Sequence, residues 1–189
     1  MPIDFDIEFK KKALSQVAEH LALAARTAPK TRGRDDLVIS ILTDEEKERV
    51  ASELELLFGE REKQWWWLKR DADSVRKSAI VILFSIKGSK PRNLDCGACG
   101  FPTCAEFEKA EKKTLSDFAG PNCVYPLIDL GLALGASVKL CSELGVDNRI
   151  MFSIGLAARK IKIMDADIIM GLPLSATGKN IYFDRPRPQ

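Results

Sequence analysis

The chain has 189 residues, enough for one self-sufficient core that buries roughly 70% of the surface its unfolded form exposes. Hydrophobic residues make up 46% and charged residues 30%, which argues against a disordered polymer, and the longest unbroken apolar run, Ala79 to Phe84, is far too short to span a bilayer. With 29 Lys and Arg against 27 Asp and Glu, the formal charge of +2 gives no global basic field for nucleic acid or an anionic membrane.

The opening Met1-Pro2-Ile3-Asp4-Phe5-Asp6 is acidic and lacks an apolar signal core, so a cytoplasmic location is expected. Leu14, Val17, Ala18, Leu21, Ala24 and Ala25 recur at three- and four-residue steps, predicting an amphipathic helix from about Phe5 to Arg26. The stretch Ala28 to Arg34 breaks that period and carries Lys30, Arg32 and Arg34. A buried strand is expected over Leu37 to Leu42. Thr43 and Glu46 have capping-box spacing, and Val50, Leu54, Leu57 and Phe58 continue a helical face toward Gly59.

Residues 61 to 78 are charged and contain Trp65-Trp66-Trp67, which cannot all face one way; two are expected in the core and the third at a partner, cofactor or solvent. Ala79 to Phe84 reads as a fully buried strand, and the turn-rich Lys87 to Asn93 leads into a cysteine segment whose later part, Ala105 to Leu115, suits a short helix. Leu127 to Leu144 is apolar on nearly every side and predicts a central, buried helix in which Gly131 and Gly135 admit a close neighbour. Arg149 to Ile154 and Asp167 to Leu172 are candidate strands around a helix from Leu156 to Met164, before a Pro/Arg tail over residues 182–189.

Four of the five cysteines fall in Cys96-Gly-Ala-Cys99-Gly-Phe-Pro-Thr-Cys104 and Cys123, a C-x2-C-x4-C-x18-C pattern. Thiols clustered in a reducing compartment favour metal or redox chemistry over disulfides. Three thiolates in nine residues converge only if the backbone winds tightly, and Gly97 and Gly100 supply that freedom. A distant fourth completes the ligation that a 4Fe-4S cluster requires; tetrahedral zinc is the structural alternative, although the second C-x-x-C knuckle of a zinc ribbon is missing. Cys141, in the apolar helix, reads as a small core hydrophobe. His20 is the one histidine, and neither a Walker loop nor a G-x-G-x-x-G occurs, which argues against Ser-His catalysis, nucleotide hydrolysis and Rossmann-type binding.

At residues 92 to 126 the sequence resembles the CGxCGxxxC iron-sulfur module of electron-transfer and corrinoid proteins. Ala24 to Pro29, Leu94 to Cys104 and Gly171 to Ser175 make the whole chain similar to an uncharacterised family of ferredoxin-domain proteins. Ala24-Ala-Arg-Thr-Ala-Pro29, Leu144-Gly145-Val146 and Met170-Gly-Leu-Pro173 further resemble FMN-dependent nitroreductases. That resemblance implies an α+β (α/β) fold: a single nitroreductase-like domain over residues 1–189, built as a three-layer α-β-α sandwich with the cysteine segment, 91–126, inserted. It also implies a homodimer with FMN at the interface. This N-terminus has no Arg-Arg-Ser-x-Arg phosphate grip, so Lys30, Arg32 and Arg34 are the candidate replacements; Lys179, Arg185 and Arg187 are more ambiguous.

The expected function is an intracellular 4Fe-4S electron-transfer protein in which Cys96, Cys99, Cys104 and Cys123 hold the cluster. It would work with a flavin, a redox partner protein or a small-molecule acceptor, with neither nucleic acid nor membrane involved. The alternative is a non-enzymatic binding or scaffold protein with a structural zinc or cluster site.

Overall fold

The computed structural model describes residues 7–61, 65–114 and 116–183. Helix α1 (Ile7–Thr27), strand β1 (Val38–Ile41), helices α2 (Asp44–Arg61) and α3 (Trp67–Lys77) and strand β2 (Ile80–Ile86) precede the cysteine segment. That segment holds α4 (Cys104–Lys109) and the paired strands β3 (Lys113–Thr114) and β4 (Ala119–Gly120). Helix α5 (Val124–Glu143), β5 (Asp147–Asn148), α6 (Phe152–Lys160) and β6 (Ile168–Ser175) complete the body.

All seven residues of β2 are buried, as its unbroken apolar run requires. It pairs antiparallel with β1 on one side, where Val38 faces Ser85, and with β6 on the other, where Ile80 faces Leu174; β5 closes the order β1-β2-β6-β5. Side chains alternate across the strand. Ile80, Ile82, Phe84 and Ile86 therefore enter a core shared with α1 and α5, whereas Val81 and Leu83 enter a second core shared with α2, α3 and α6. These two cores are the faces of a three-layer α-β-α sandwich.

Local signals explain several boundaries. The Thr43 N–H donates to Glu46 Oε2 at 2.9 Å while the Glu46 N–H donates to Thr43 Oγ1 at 3.2 Å, the reciprocal capping box that starts α2. Trp65 and Trp67 stack 5.4 Å apart against the second core, and Trp66 is left 61% exposed.

Several expectations need correction. The first is the buried strand over Leu37 to Leu42: β1 is an edge strand with Val38 54% and Ile41 36% exposed, and only the flanking Leu37 and Leu42 are buried. Residues 61–78 contain α3, whose seam of Leu68, Ala72 and Val75 is fully buried beneath a charged outer face. The strand expected over Arg149 to Ile154 is reduced to a single bridge from Met151 to Gly171, with β5 lying just before it; from Phe152 the chain is already helical. That helix lies so close to β6 that a Cβ at Gly155 would sit 1.7 Å from the Ile169 carbonyl oxygen, and the fit fixes α6 as helix. The helix after Cys104 stops at Lys109 because the following residues turn into β3. Helix α5 buries one face only, and Gly131 and Gly135 lie on the other, with no described atom within 4 Å of where their Cβ atoms would be. By length and apolar character α5 is also the one described helix that could cross a bilayer, yet its buried face is packed on the sheet and α1. Most of the Pro/Arg tail, with Arg185 and Arg187, lies outside the described residues.

Candidate metal centre

The cysteine loop changes direction at four left-handed residues, Asn93 (φ 55°), Asp95 (φ 45°), Gly97 (φ 71°) and Gly100 (φ 87°). The two glycines take this conformation without a Cβ clash, and the Gly100 N–H closes the turn on the Gly97 carbonyl at 3.0 Å. Asp95 Oδ1 accepts from the Cys104 N–H at 2.6 Å, and Thr103 Oγ1 caps α4 by accepting from the Glu106 N–H at 3.2 Å. Cys104 thereby becomes the first residue of a short helix folded back on the loop.

Cys123 arrives from the other direction as the residue preceding α5, its N–H bonded to the Gly88 carbonyl at 2.8 Å. All four cysteines line one pocket, walled also by Arg92, Leu94, Phe101, Val124 and Tyr125. Cys96 is exposed, Cys99 and Cys104 are half-buried and Cys123 is buried, and all five cysteines are free thiols. Among the described residues, no three His, Cys, Asp or Glu side chains gather as a single-ion site. Cys141 lies elsewhere, fully buried in the core under α1, where burial pushes its thiol up to about 11.

Sequence reasoning missed the polar hub beside this pocket. Arg92, 1% exposed, donates from Nη2 to Asp129 Oδ2 at 3.0 Å and from Nη1 to Asp36 Oδ2 at 2.5 Å. Burial opposes the guanidinium charge, but these carboxylates outweigh it and raise the Arg92 pKa further. Asp129, on α5, accepts from both the N–H and the hydroxyl of Thr31 at 2.9 and 2.8 Å. The hub thus joins α5, the loop after α1 and the cysteine segment.

The basic loop is committed to the same scaffold. The Lys30 ammonium donates to the carbonyls of Ala25, Arg26 and Ala28, each at 2.7 Å, so all three of its protons are used at the end of α1. Arg32 Nη1 reaches the Arg92 and Asn93 carbonyls, both at 3.0 Å, and Arg34 Nη1 reaches the Pro91 carbonyl at 3.2 Å. These side chains hold the start of the cysteine loop. A separate, open pocket is lined by Trp66, Trp67, Arg70, Arg149, Met151 and Ser153 among others. The sole histidine, His20, is exposed, with Nδ1 near its own helix at the Gln16 carbonyl.

A family model described as uncharacterized protein containing a ferredoxin domain (DUF2148) matches residues 119–185, a range that includes Cys123 but not the three-cysteine loop. An uncharacterized protein of Archaeoglobus fulgidus is 46% identical over 178 residues, covering 94% of this chain and 95% of that one. The chain belongs to this ferredoxin-domain family. The family's body, as seen here, has the nitroreductase fold: a nitroreductase with bound FMN from Desulfitobacterium hafniense superposes with a TM-score of 0.56 at 13% identity, over 95% of this chain and 80% of that one. Nitroreductase A of Vibrio parahaemolyticus gives 0.55 at 15% identity, over 95% of this chain. The ferredoxin-domain chain spans only 61% of that enzyme's length.

Proposed function

We propose that this protein is an iron-sulfur electron carrier in which Cys96, Cys99, Cys104 and Cys123 bind a 4Fe-4S cluster, carried by residues 91–126 as an insertion in a nitroreductase-like body. The observation that carries the reading is the convergence of four free thiols, from two separate stretches of chain, on one pocket. A mononuclear zinc site would draw the four sulfurs within about 4 Å of one another, given Zn–S bonds of about 2.3 Å. A cluster binds each sulfur to a different iron, so its four ligands stand farther apart than those of a single ion. When bound, the cluster supplies reversible one-electron transfer. The chain's own part is to hold the four sulfurs, shield Cys123 and leave Cys96 at the surface where a redox partner can approach. Free thiols fit a reducing, cytoplasmic setting.

The test is iron and acid-labile sulfide analysis of protein purified without oxygen, with its visible spectrum recorded before and after acid. About four of each per chain are expected. Stoichiometric zinc without sulfide overturns the reading and leaves a structural metal staple.

A second reading adds FMN, favoured by the fold and by the Trp66 pocket, where flat aromatic walls and the Arg70 and Arg149 guanidiniums suit a planar anion. In the basic loop, the Lys30 protons are spent on α1, but Arg32 engages its carbonyls through one nitrogen only, so Arg32 and Arg34 are the candidate phosphate contacts. Yellow colour released by acid, and lost when Arg32 and Arg34 are changed to Ala, supports this reading; unchanged flavin in that variant moves the phosphate to Arg70 and Arg149. The exposed face of α5, with Ile128 49% and Leu132 47% exposed beside Gly131 and Gly135, is the proposed homodimer contact.

A further inference from the structure

Arg92 is the largest fully buried side chain among the described residues and lines the same pocket as the four cysteines. Packing alone does not call for a charge there, because an apolar residue of similar volume would fill the space without the cost of desolvating an ion pair. The ion pair is also asymmetric about the pocket: Arg92 is one of its lining residues, whereas Asp129 and Asp36, which the guanidinium binds, are not. Its backbone is held as firmly as its side chain, since Arg32 binds the Arg92 carbonyl and Arg34 the carbonyl of Pro91.

We infer that Arg92 is the fixed cation that sets the electron affinity of the centre those cysteines hold. The inference rests on the cluster reading above. Four thiolates make the bound centre anionic, and reduction adds one electron from an external reductant, with no bond made or broken and one more negative charge to accommodate. A cation on a pocket-lining residue stabilises the reduced form more than the oxidised one; the carboxylates, on residues that do not line the pocket, act in the opposite sense.

The experiment is a dye-mediated, dithionite-poised redox titration of cluster-loaded wild type and three variants, each with its iron content measured. In Arg92→Met, which removes the charge and leaves both carboxylates, the reduction equilibrium should fall at least tenfold, a potential lower by about 59 mV for a one-electron couple. Arg92→Lys, which keeps the charge, should stay within about threefold of wild type. Asp129→Asn, which keeps the shape and an oxygen for Thr31 but removes a negative charge, should shift the equilibrium the other way. A residue that merely clamps the loop cannot produce shifts of opposite sign from the two ends of one ion pair. Iron-replete variants whose potentials are unchanged, or move in the same direction, overturn the inference. So does iron loss from all three, which would make the hub a mechanical clamp. Should Arg92→Met alone fail to fold, the sign of the Asp129→Asn shift decides. Wild type without iron and sulfide overturns the cluster reading itself, a result visible before any titration.

Discussion

Serine substitution at Cys123, just before α5, and at Cys141, in its last turn, should separate ligand from core. Cys123 and Cys141 stand 18 positions apart, about 27 Å along a helix rising about 1.5 Å per residue, so one centre cannot use both. Cys141 has no exposed surface and belongs to the core between α1, α5 and the sheet. Replacing its sulfur with a hydroxyl buries a polar group among apolar neighbours, which costs about 1–3 kcal/mol. In a chain of this size that lowers Tm by about 2–12 °C, and iron and sulfide should be unchanged. Cys123→Ser removes one of the thiols lining the pocket and should strip or destabilise the cluster, with a smaller effect on the apo-protein's melting. The assay is iron and acid-labile sulfide per folded chain, alongside thermal melts with and without chelator. Full iron in Cys123→Ser, or iron loss from a folded Cys141→Ser, refutes the ligand assignment.

Gly155→Ala should destabilise the fold by about 3 kcal/mol in urea unfolding, because the new methyl group meets the Ile169 backbone at 1.7 Å and no side chain can yield; a neutral result would mean that α6 and β6 are not in contact as described. Leu132→Arg on the exposed face of α5 should turn a dimer into a monomer by light scattering at low micromolar concentration, and a wild type that is already monomeric removes the proposed interface. Stability should also fall in alkali. Burial raises Cys141 from 9.0 to about 11 and Tyr182 from 10.0 to about 12, so the unfolded chain ionises first. Their contribution is complete below about pH 9 and is lost as pH rises through 11 and 12, of order 2–3 kcal/mol for each group. Urea unfolding at pH 8 and pH 11 should show this loss in wild type and little of it in Cys141→Ala with Tyr182→Phe; an equal loss in that double variant contradicts the assignment.

Strong local signals made part of this molecule legible. Ala79 to Phe84 could only be a core strand, and Thr43 with Glu46 could bond to each other without help from the rest of the chain. The cysteine motif was legible for the same reason, since Cys96, Cys99 and Cys104 lie within one short loop. Weak or ambiguous periodicity hid the rest. Helix α3 shows only three seam residues among charged ones, and the short apolar run from Ile150 to Ile154 suits strand and helix equally until Gly155 meets β6. Arg92 was invisible for another reason. A single arginine in a turn-rich stretch reads as solvated, and its partners Asp36 and Asp129 lie 56 and 37 residues away, a separation that no local pattern bridges.

The hydrogen bond from the Cys123 N–H to the Gly88 carbonyl brings the two ends of the cysteine segment together at the edge of the body. In polymer terms residues 88–123 form a ring already closed at its neck. The entropy of closing such a ring grows only with the logarithm of its length, about 0.6 kcal/mol per doubling. The stretch carrying α4 and the β3-β4 pair can therefore lengthen or shorten at little thermodynamic expense, whereas the span from Cys96 to Cys104 cannot, because its turns are set residue by residue at Gly97 and Gly100. Of the three intervals between the cysteines, two and four are rigid numbers and 18 is an elastic one. Homologous chains with a much longer excursion between the third and fourth cysteine should still assemble the same pocket.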